Sequence, residues 1–174
     1  MVGGQCLETS IIEDYEKRHI TLLRCIIDVF EPKTVLDLGC GNGNIAYSLK
    51  SPSKVVMVDR ANSIKQGDAR KRQKKIKYDF QIMNLDHQFP KGKYDVVLLS
   101  EVIYYLNQET LSTFLTSINN CLKCDGTFVI SWHQGSLQNI RKLLSPLFNE
   151  EYSLVQPYGL NDERYWVISV WSKK

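Results

Sequence analysis

Apolar and polar positions follow two different periodicities along this chain, and together they predict an α/β fold. Short, almost wholly apolar runs are typical of strands buried on both faces of a parallel sheet, and apolar residues three or four positions apart predict amphipathic helices. The predicted strands cover 34–38, 54–59, 80–83, 94–99, 127–132, 152–156 and 165–171. The predicted helices cover 11–30, 44–49, 62–75, 108–121 and 137–148. Because strands and helices alternate, the pattern predicts a doubly wound sheet.

The last two predicted strands depart from this alternation. A short polar loop, 159–163, separates them, and a loop of this length cannot contain a helical crossover. The two strands are therefore expected to be antiparallel neighbours. A mostly parallel sheet that ends in an antiparallel hairpin does not match the all-parallel dinucleotide-binding fold.

Length, charge and cysteine content narrow the class of protein. The chain has 174 residues, 43% of them hydrophobic, which predicts one domain over 1–174 with an N-terminal helical region at 1–32. The net charge of +3 is too small to indicate a nucleic-acid partner. No apolar stretch approaches the roughly 20 residues that span a bilayer, residues 1–10 lack a secretion signal, and the five cysteines are typical of reduced thiols. We therefore expect a cytoplasmic protein without membrane association, and no metal site, since Cys121-x-x-Cys124 has no second Cys or His pair.

A glycine-rich turn follows the first predicted strand, in the run V-L-D-L-G-C-G-N-G-N that begins at Val35. Gly39, Gly41 and Gly43 can adopt positive φ and let a ligand approach the backbone closely. Asp37 precedes the turn, at the carboxyl end of the strand, where open α/β sheets bind ligands. The turn therefore predicts a nucleotide-type site.

Two common phosphate-binding motifs do not fit this turn. The dinucleotide fingerprint requires a small residue where this chain has Asn44, and no Gly-Lys-Ser/Thr triplet follows Gly43 as in a P-loop. The remaining pattern, D-x-G-x-G-x-G, resembles the first motif of the class I S-adenosylmethionine (SAM)-dependent methyltransferases. The resemblance implies a three-layer αβα, Rossmann-like fold with a seven-stranded sheet. It also implies SAM as cofactor, S-adenosyl-L-homocysteine as product, and no metal.

Two further strand ends match this family. Asp59 closes the second predicted strand about 20 residues after Asp37, as the ribose-binding acid does in nucleotide-binding units. By resemblance, Asp59 binds the ribose hydroxyls, and a capping role for the following helix is compatible with this. The third predicted strand is followed by Asn84, Leu85 and Asp86. The resemblance places either Asn84 or Asp86 against the adenine amino group, with the Leu85 backbone N–H toward the ring.

The fourth predicted strand lies in K-Y-D-V-V-L-L-S-E-V-I-Y-Y-L, which begins at Lys93. This segment resembles small-molecule methyltransferases, and S-E-V-x-Y-Y-L in particular resembles the nodulation N-methyltransferase (NodS-like) group. The D/N-P-P-Y/F segment usual in methyltransferases that act on DNA amino groups is absent. The resemblance implies that Ser100 and Glu101 lie beside the sulfonium, with Tyr104 and Tyr105 in the wall of the acceptor pocket. Packing of either tyrosine in the core is an equally weighted alternative.

Methyl transfer requires that an oxygen or protonated nitrogen acceptor lose a proton. The candidate catalytic residues are Glu101, Tyr104 and His133, although a structural role for His133 is the more common one for a lone histidine. The candidate substrate-binding residues are Tyr104, Tyr105, Trp132 and His133. Aromatic faces favour a cationic sulfonium, and Tyr15 on the first helix is placed to fold over the cofactor as a lid. The candidate cofactor-binding residues are Asp37, Gly39, Cys40, Gly41, Gly43, Asp59, Arg60, Asn84, Leu85, Ser100 and Tyr15.

Basic residues crowd the segment 62–77. Such a cluster is either a phosphate-binding patch or the solvated face of a helix, and the second interpretation is favoured because no aromatic residues interleave with it. The sequence thus predicts an enzyme that methylates an oxygen, nitrogen or sulfur atom of a small molecule, as a monomer or homodimer. An RNA or protein methyltransferase, or a SAM-binding regulatory or scaffold protein without turnover, is the alternative.

Overall fold

Seven strands and four helices make up the described part of the chain, residues 4–60, 73–133, 139–157 and 164–174 of this computed structural model. The strands are β1 (Thr34–Leu38), β2 (Lys54–Asp59), β3 (Lys77–Ile82), β4 (Tyr94–Ser100), β5 (Leu122–His133), β6 (Phe148–Pro157) and β7 (Tyr165–Lys173). The helices are α1 (Gly4–Val29), α2 (Asn44–Ser48), α3 (Leu111–Cys121) and α4 (Ile140–Leu144), and a 3₁₀ turn lies at Ile103–Tyr105. Side chains are described from residue 16 onward. None of these helices is long and apolar enough to cross a membrane.

The strands form one sheet in the order β3-β2-β1-β4-β5-β7-β6. β1 lies between β2 and β4 and is parallel to both, so that Leu36 pairs with Val56 on one side and Val97 on the other. β7 is antiparallel to both β5 and β6, which confirms the predicted terminal hairpin. After β1 the chain forms β2 and β3 on one side of β1, and it then crosses back to form β4 on the other side. This reversal brings the carboxyl ends of β1, β2 and β4 together, where α/β sheets bind ligands.

Alternate residues of the central strands face two separate hydrophobic cores. In β1, Leu36 and Leu38 lie in the core that α3 and α4 complete. Val35 lies in the opposite core, which contains Leu23 and Ile27 of α1. Because successive side chains of a strand point to opposite faces, both faces of this apolar sheet must be covered. The three-layer αβα arrangement is therefore confirmed.

The predicted helix over 137–148 is wrong beyond Leu144, where α4 ends. Leu144, Leu147 and Phe148 have the spacing of a helical face, which explains the prediction. In the structure Phe148 instead begins β6 and pairs with Lys173. Its ring is buried against Phe128, with ring centroids 5.3 Å apart, so the tertiary contact decides the conformation.

The predicted helix over 62–75 and its basic cluster fall mainly on residues 61–72, which lie outside the described part of the chain. Residues 73–76 form a turn, in which the Ile76 N–H donates to the Gln73 carbonyl at 3.1 Å. β3 begins at Lys77, earlier than the predicted 80–83. Polar and aromatic residues alternate in this edge strand, so its apolar run is too short to reveal its full length.

Asp95 ties the amino ends of β1 and β4 together. Its Oδ2 atom accepts hydrogen bonds from the backbone N–H of Lys33 at 3.1 Å and of Thr34 at 2.7 Å, and from the Thr34 hydroxyl at 2.8 Å. Its Oδ1 atom lies 2.6 Å from the Lys123 ammonium. Burial alone would raise the pKa of Asp95, but these donors from Lys123 and Thr34 outweigh it and lower the pKa. The ionised carboxylate therefore stabilises the central strand pair.

We expect Asp95→Ala to lower the free energy of unfolding by about 1 to 3 kcal/mol, because its partly buried donors would lose a charged acceptor. Asp79→Ala is the matched control, since the Asp79–Lys54 pair is longer, at 3.5 Å, and more exposed. That change should cost about 1 kcal/mol or less. Urea denaturation measures both values, and equal losses at the two positions would contradict the role of Asp95.

Candidate functional site

The glycine-rich turn crosses the carboxyl end of β1 and is held against β2. The N–H groups of Gly39 and Cys40 both donate to the Val58 carbonyl, at 2.7 and 3.0 Å. Gly39 has a φ of 72°, and a Cβ atom there would collide with the side chain of Val102. A side chain at Gly39 would also project into the space between the turn and the end of β4. The turn therefore needs glycine for both its conformation and its close approach to Val102.

Gly43 serves packing more directly than binding. It has a φ of 80°, precedes α2, and leaves no room for a Cβ atom beside Met57 and Tyr47. It lines neither of the two cavities described below. Gly43 was predicted to bind the cofactor, and in the structure it shapes the turn without lining either cavity.

Asp59 connects the end of β2 to the glycine-rich turn. Its Oδ2 atom accepts a hydrogen bond from the Gly41 N–H at 2.8 Å. Asp59 and Arg60 both line a cavity beside the turn. The carboxylate is therefore positioned by the turn and faces the space in which a ligand would lie.

Two cavities meet at the end of β4 and share Gly39, Ser100 and Glu101. The first has a volume of about 220 Å³, and its other walls include Asp59, Arg60, Asn84, Leu85, Asp86, Val102 and Tyr105. The second has a volume of about 530 Å³, and its other walls include Glu16, His19, Asp37, Cys40, Gly41, Tyr104 and Trp166. Most of the predicted site residues are therefore brought together around Gly39 and Glu101.

Asp37 is the most electrostatically unusual group in the site. The residue is 2% exposed, and its Oδ2 atom is buried without a hydrogen-bond partner in the described structure. Burial, and secondarily the negative charge of Asp59, raises the pKa of Asp37 to about 7. The same burial raises the pKa of the neighbouring Cys40 thiol, which is therefore neutral. An unsatisfied carboxylate beside a cavity indicates a ligand that supplies a hydrogen-bond donor or a positive charge.

Glu101 lies where the two cavities meet, in a conformation that is rare for a residue with a side chain. Its φ is 58°, and its N–H donates to the Ser131 carbonyl at 3.0 Å. Its Oε2 atom accepts a hydrogen bond from the Tyr104 hydroxyl at 2.9 Å, and its Oε1 atom lies 3.2 Å from the Ser131 hydroxyl. Burial raises the pKa of Glu101, although hydrogen bonds from Tyr104, Ser131 and Trp166 and the nearby His133 partly oppose this. Backbone strain and a raised pKa at one residue are both typical of active sites.

Asn84 and Asp86 both line the first cavity, so the choice between them as the adenine ligand stays open. The Asn84 Oδ1 atom accepts the Asp86 N–H at 3.1 Å, and the Asp86 Oδ1 atom accepts the Asn107 N–H at 2.8 Å. Both side chains are therefore held in place by the loop that carries them. Leu85, between them, lines the same wall.

The residues predicted to bind the acceptor do not all lie around one cavity. Tyr104 lines the second cavity, whereas Tyr105, 66% exposed, lines the first. Trp132 is buried in the core and lines neither cavity, while His133 ends β5 near Glu101. Tyr15 lies in α1, but its side chain is outside the described residues.

His19 and Trp166 are among the residues of the second cavity that sequence reasoning missed. His19 lies on the apolar face of α1, and its ring stacks on Trp166 with centroids 4.5 Å apart. The only sign of His19 in the sequence was a polar residue on the apolar face of the first predicted helix. Trp166 comes from β7, whose contribution to the site depends on the antiparallel return of the chain.

The residues around these cavities fit SAM as a bound group. SAM combines a nucleoside with a positively charged sulfonium and an ammonium group. Asp59 and the 84–86 loop supply acceptors and a backbone wall for a nucleoside, and the orphaned Asp37 oxygen suits a cationic group. Among the described residues no group of three or more His, Cys, Asp or Glu side chains is arranged to hold a metal ion.

Solved structures with the same fold share this arrangement of the sheet, at identities that show the fold alone. N-methyltransferase NodS from Bradyrhizobium japonicum WM9, in complex with S-adenosyl-L-homocysteine, is 16% identical with a TM-score of 0.78, over 91% of this chain and 87% of that chain. The methyltransferase domain of bacterial CtHen1-C is 17% identical with a TM-score of 0.74, over 91% and 98% of the two chains. A TehB-like SAM-dependent methyltransferase from Corynebacterium glutamicum is 19% identical with a TM-score of 0.69, over 95% and 100%.

Comparison of the sequence with curated proteins gives no significant match. A family model described as a methyltransferase domain matches residues 30–167, which include β1 to β6 and the whole glycine-rich turn. The fold, with its seven-stranded sheet and terminal antiparallel hairpin, is that of the class I SAM-dependent methyltransferases. This chain therefore belongs to the methyltransferase domain family.

Proposed function

We propose that this chain uses SAM to methylate an oxygen, nitrogen or sulfur atom of a small molecule. The observation that carries the proposal is the meeting of two cavities at Glu101, one lined by Asp59, Asn84 and Asp86 and the other by acidic and aromatic groups. When bound, SAM supplies a methyl group that is already activated by its sulfonium. The chain has to hold the two reactants in line and remove a proton.

The first cavity, the turn and the part of the second cavity beside Asp37 would hold the cofactor. Asp59 would accept hydrogen bonds from the ribose hydroxyls, while Asn84 or Asp86 and the Leu85 backbone would contact adenine. Asp37 would face the cationic part of the molecule. The carboxylate of Asp37 gains a partner in this way, which relieves the cost of its burial.

The second cavity would receive the acceptor. Its volume of about 530 Å³ suits a small molecule, and Trp166 and Tyr104 supply aromatic walls. Glu16 and Glu101 line the same space, so the cavity favours a basic acceptor over an acidic one. An amine is therefore the first acceptor class to test, and NodS, which has the same fold, is described as an N-methyltransferase.

Glu101 is the group best placed to take the proton that the acceptor loses. Its raised pKa increases its basicity, and Tyr104 holds one carboxylate oxygen in place. His133 lies near enough to influence the charge of Glu101. We propose Glu101 as the general base, with Tyr104 as the residue that orients it.

Product formation with labelled SAM and a panel of amines, phenols and thiols tests the proposal as a whole. Methylation of at least one small-molecule class is expected. SAM binding with no methylation of any class would favour a regulatory or scaffold role. Methylation restricted to RNA, together with salt-dependent RNA binding, would favour a nucleic-acid substrate instead.

Glu101→Gln should lower kcat by about 100-fold or more while SAM affinity changes little, because the amide cannot accept a proton at neutral pH. Tyr104→Phe is the matched control, since it removes only the hydrogen bond to Glu101 and should cost less in kcat. Steady-state kinetics and calorimetry separate the two effects. Equal losses in kcat and SAM affinity for Glu101→Gln would assign the residue to cofactor binding.

Asp59→Ala should weaken SAM binding by about 1 to 3 kcal/mol, the range expected for the loss of charged hydrogen bonds. Asp59→Asn keeps an acceptor for the Gly41 N–H and isolates the loss of charge. Asp79→Asn, on an edge strand away from both cavities, serves as the control for a remote carboxylate. Unchanged affinity of Asp59→Ala in calorimetry would rule out the ribose contact.

Asp37→Asn should make the ligand-free protein more stable at pH 8 and weaken its SAM binding. The pKa of Asp37 is about 7 in the fold and 3.8 ordinarily, so the wild-type carboxyl contributes stability below pH 3.8 that is lost as the pH rises to 7. The Asn variant has no such loss, so its advantage should grow over this interval, to about 1 to 4 kcal/mol. Urea denaturation across this pH range measures the difference, and a difference independent of pH would contradict the raised pKa.

A further inference from the structure

A chain of buried polar side chains runs from the hairpin through α1 to Glu101. The Nδ1 atom of His19 lies 3.2 Å from the Gln156 Oε1 atom, and its Nε2 atom lies 3.1 Å from the Ser131 hydroxyl. The Ser131 hydroxyl also lies 2.9 Å from the Ser100 hydroxyl and 3.2 Å from the Glu101 Oε1 atom. His19, Ser131 and Gln156 are all buried. Because these three side chains are buried, their polar atoms must find hydrogen-bond partners within the protein.

The number of protons on these groups limits how they can bond. Burial lowers the pKa of His19 to about 4, so the ring is neutral at physiological pH and carries one N–H. With the Gln156 carbonyl oxygen facing Nδ1, that N–H belongs on Nδ1, and Nε2 is left as an acceptor. The Ser131 hydroxyl has a single proton. If it is donated to Nε2, it is not available to Glu101.

The same count determines which form of Glu101 fits the network. An ionised Glu101 accepts the Ser131 hydroxyl, as it accepts hydrogen bonds from Tyr104 and Trp166, and the buried Nε2 atom of His19 then loses this donor. A protonated Oε1 atom would instead donate to Ser131, while Oε2 still accepts from Tyr104. Only the protonated form of Glu101 lets Nε2 keep the Ser131 proton, so the contact with His19 favours that form.

From this geometry we infer that His19, held by Gln156, is a positioning residue that competes with Glu101 for the Ser131 hydroxyl proton and so makes Glu101 a stronger base. The inference deepens the proposed function and rests on it for the role of Glu101 in turnover. When the acceptor loses its proton, the Glu101 carboxylate binds it, and the resulting O–H donates a hydrogen bond to the Ser131 oxygen, whose own proton then bonds His19 Nε2. His19 itself gains and loses no proton in this step.

Other ionisable groups also act on Glu101. Tyr104 on the adjoining turn, His133 on β5, Glu16 on α1 and Asp37 on β1 lie around it. Asp59, Arg60 and Asp86 line the first cavity. A change at His19 leaves all of these in place, so their effect is common to the wild type and the variant.

The test uses His19→Phe in the full chain with S-adenosyl-L-homocysteine as the added ligand. Phenylalanine keeps an aromatic ring against Trp166 but removes both nitrogens, so the Ser131 proton becomes available to the Glu101 carboxylate. The pKa of Glu101 should fall by about one unit. Carbon-13 NMR titration of glutamate carboxyl groups, with Glu101 assigned by Glu101→Gln, measures this without any turnover.

The same comparison in a protein that carries Ser131→Ala shows whether His19 acts through Ser131. If His19 acts through Ser131, His19→Phe should produce no further shift in the pKa of Glu101 when Ser131 is already alanine. Thermal unfolding and ligand binding confirm that each variant is folded. An unchanged Glu101 pKa in His19→Phe, or an equal shift in the Ser131→Ala background, would overturn the inference.

Kinetics link the network to catalysis. The acidic limb of the pH dependence of kcat should move down by the same amount in His19→Phe as the pKa measured by NMR. If Glu101→Gln retains full turnover, the general-base role fails. The NMR titration would still decide whether His19 controls the charge of Glu101.

Discussion

The whole site depends on the parallel pairing of β1 with β2 on one side and β4 on the other. This pairing brings three strand ends to one edge of the sheet, and the reversal of chain direction at β1 opens a crevice there. The N–H groups of Gly39 and Cys40 hold the glycine-rich turn across that crevice by bonding the Val58 carbonyl of β2. Asp95 secures the same strand pair at the opposite end, so that both ends of β1 are bound to their neighbours.

Two carboxyl groups at this edge are kept in environments that disfavour their charge. Asp37 is buried with an unsatisfied oxygen, and Glu101 is half-buried in a strained backbone conformation. Each costs folding free energy that the two hydrophobic cores must offset. Such costs are typical of groups held ready for a ligand, since the ligand supplies the missing partner. The arrangement therefore explains why the least favourable electrostatics of the molecule lie beside its cavities.

Much of the architecture and of the cofactor side could be predicted, because it is encoded in local patterns. β1 and β2 were predicted at the bounds that the structure has, since continuous apolar runs with clear ends leave little ambiguity. Gly39 and Asp59 were proposed as site residues from their positions at the ends of the first two strands and from the resemblance to the family. The length of β3 and the start of β6 were not predicted, because an edge strand has a weaker apolar signal and Phe148 has helical spacing. Trp132 was expected to contact the acceptor but is buried in the core, since strand alternation turns its side chain away from the cavities.

The sequence by itself determined the class of fold, the glycine-rich turn and the acidic residues that follow the strands. These features are local, because each depends on a short run of residues and on the geometry of one strand end. Only the tertiary structure decided how His19, Ser131, Gln156 and Trp166 converge on Glu101. These residues come from α1, β5, β6 and β7, and no periodicity or motif relates positions so far apart in the chain. Their proximity follows from the order of strands in the sheet and from the packing of α1 across it.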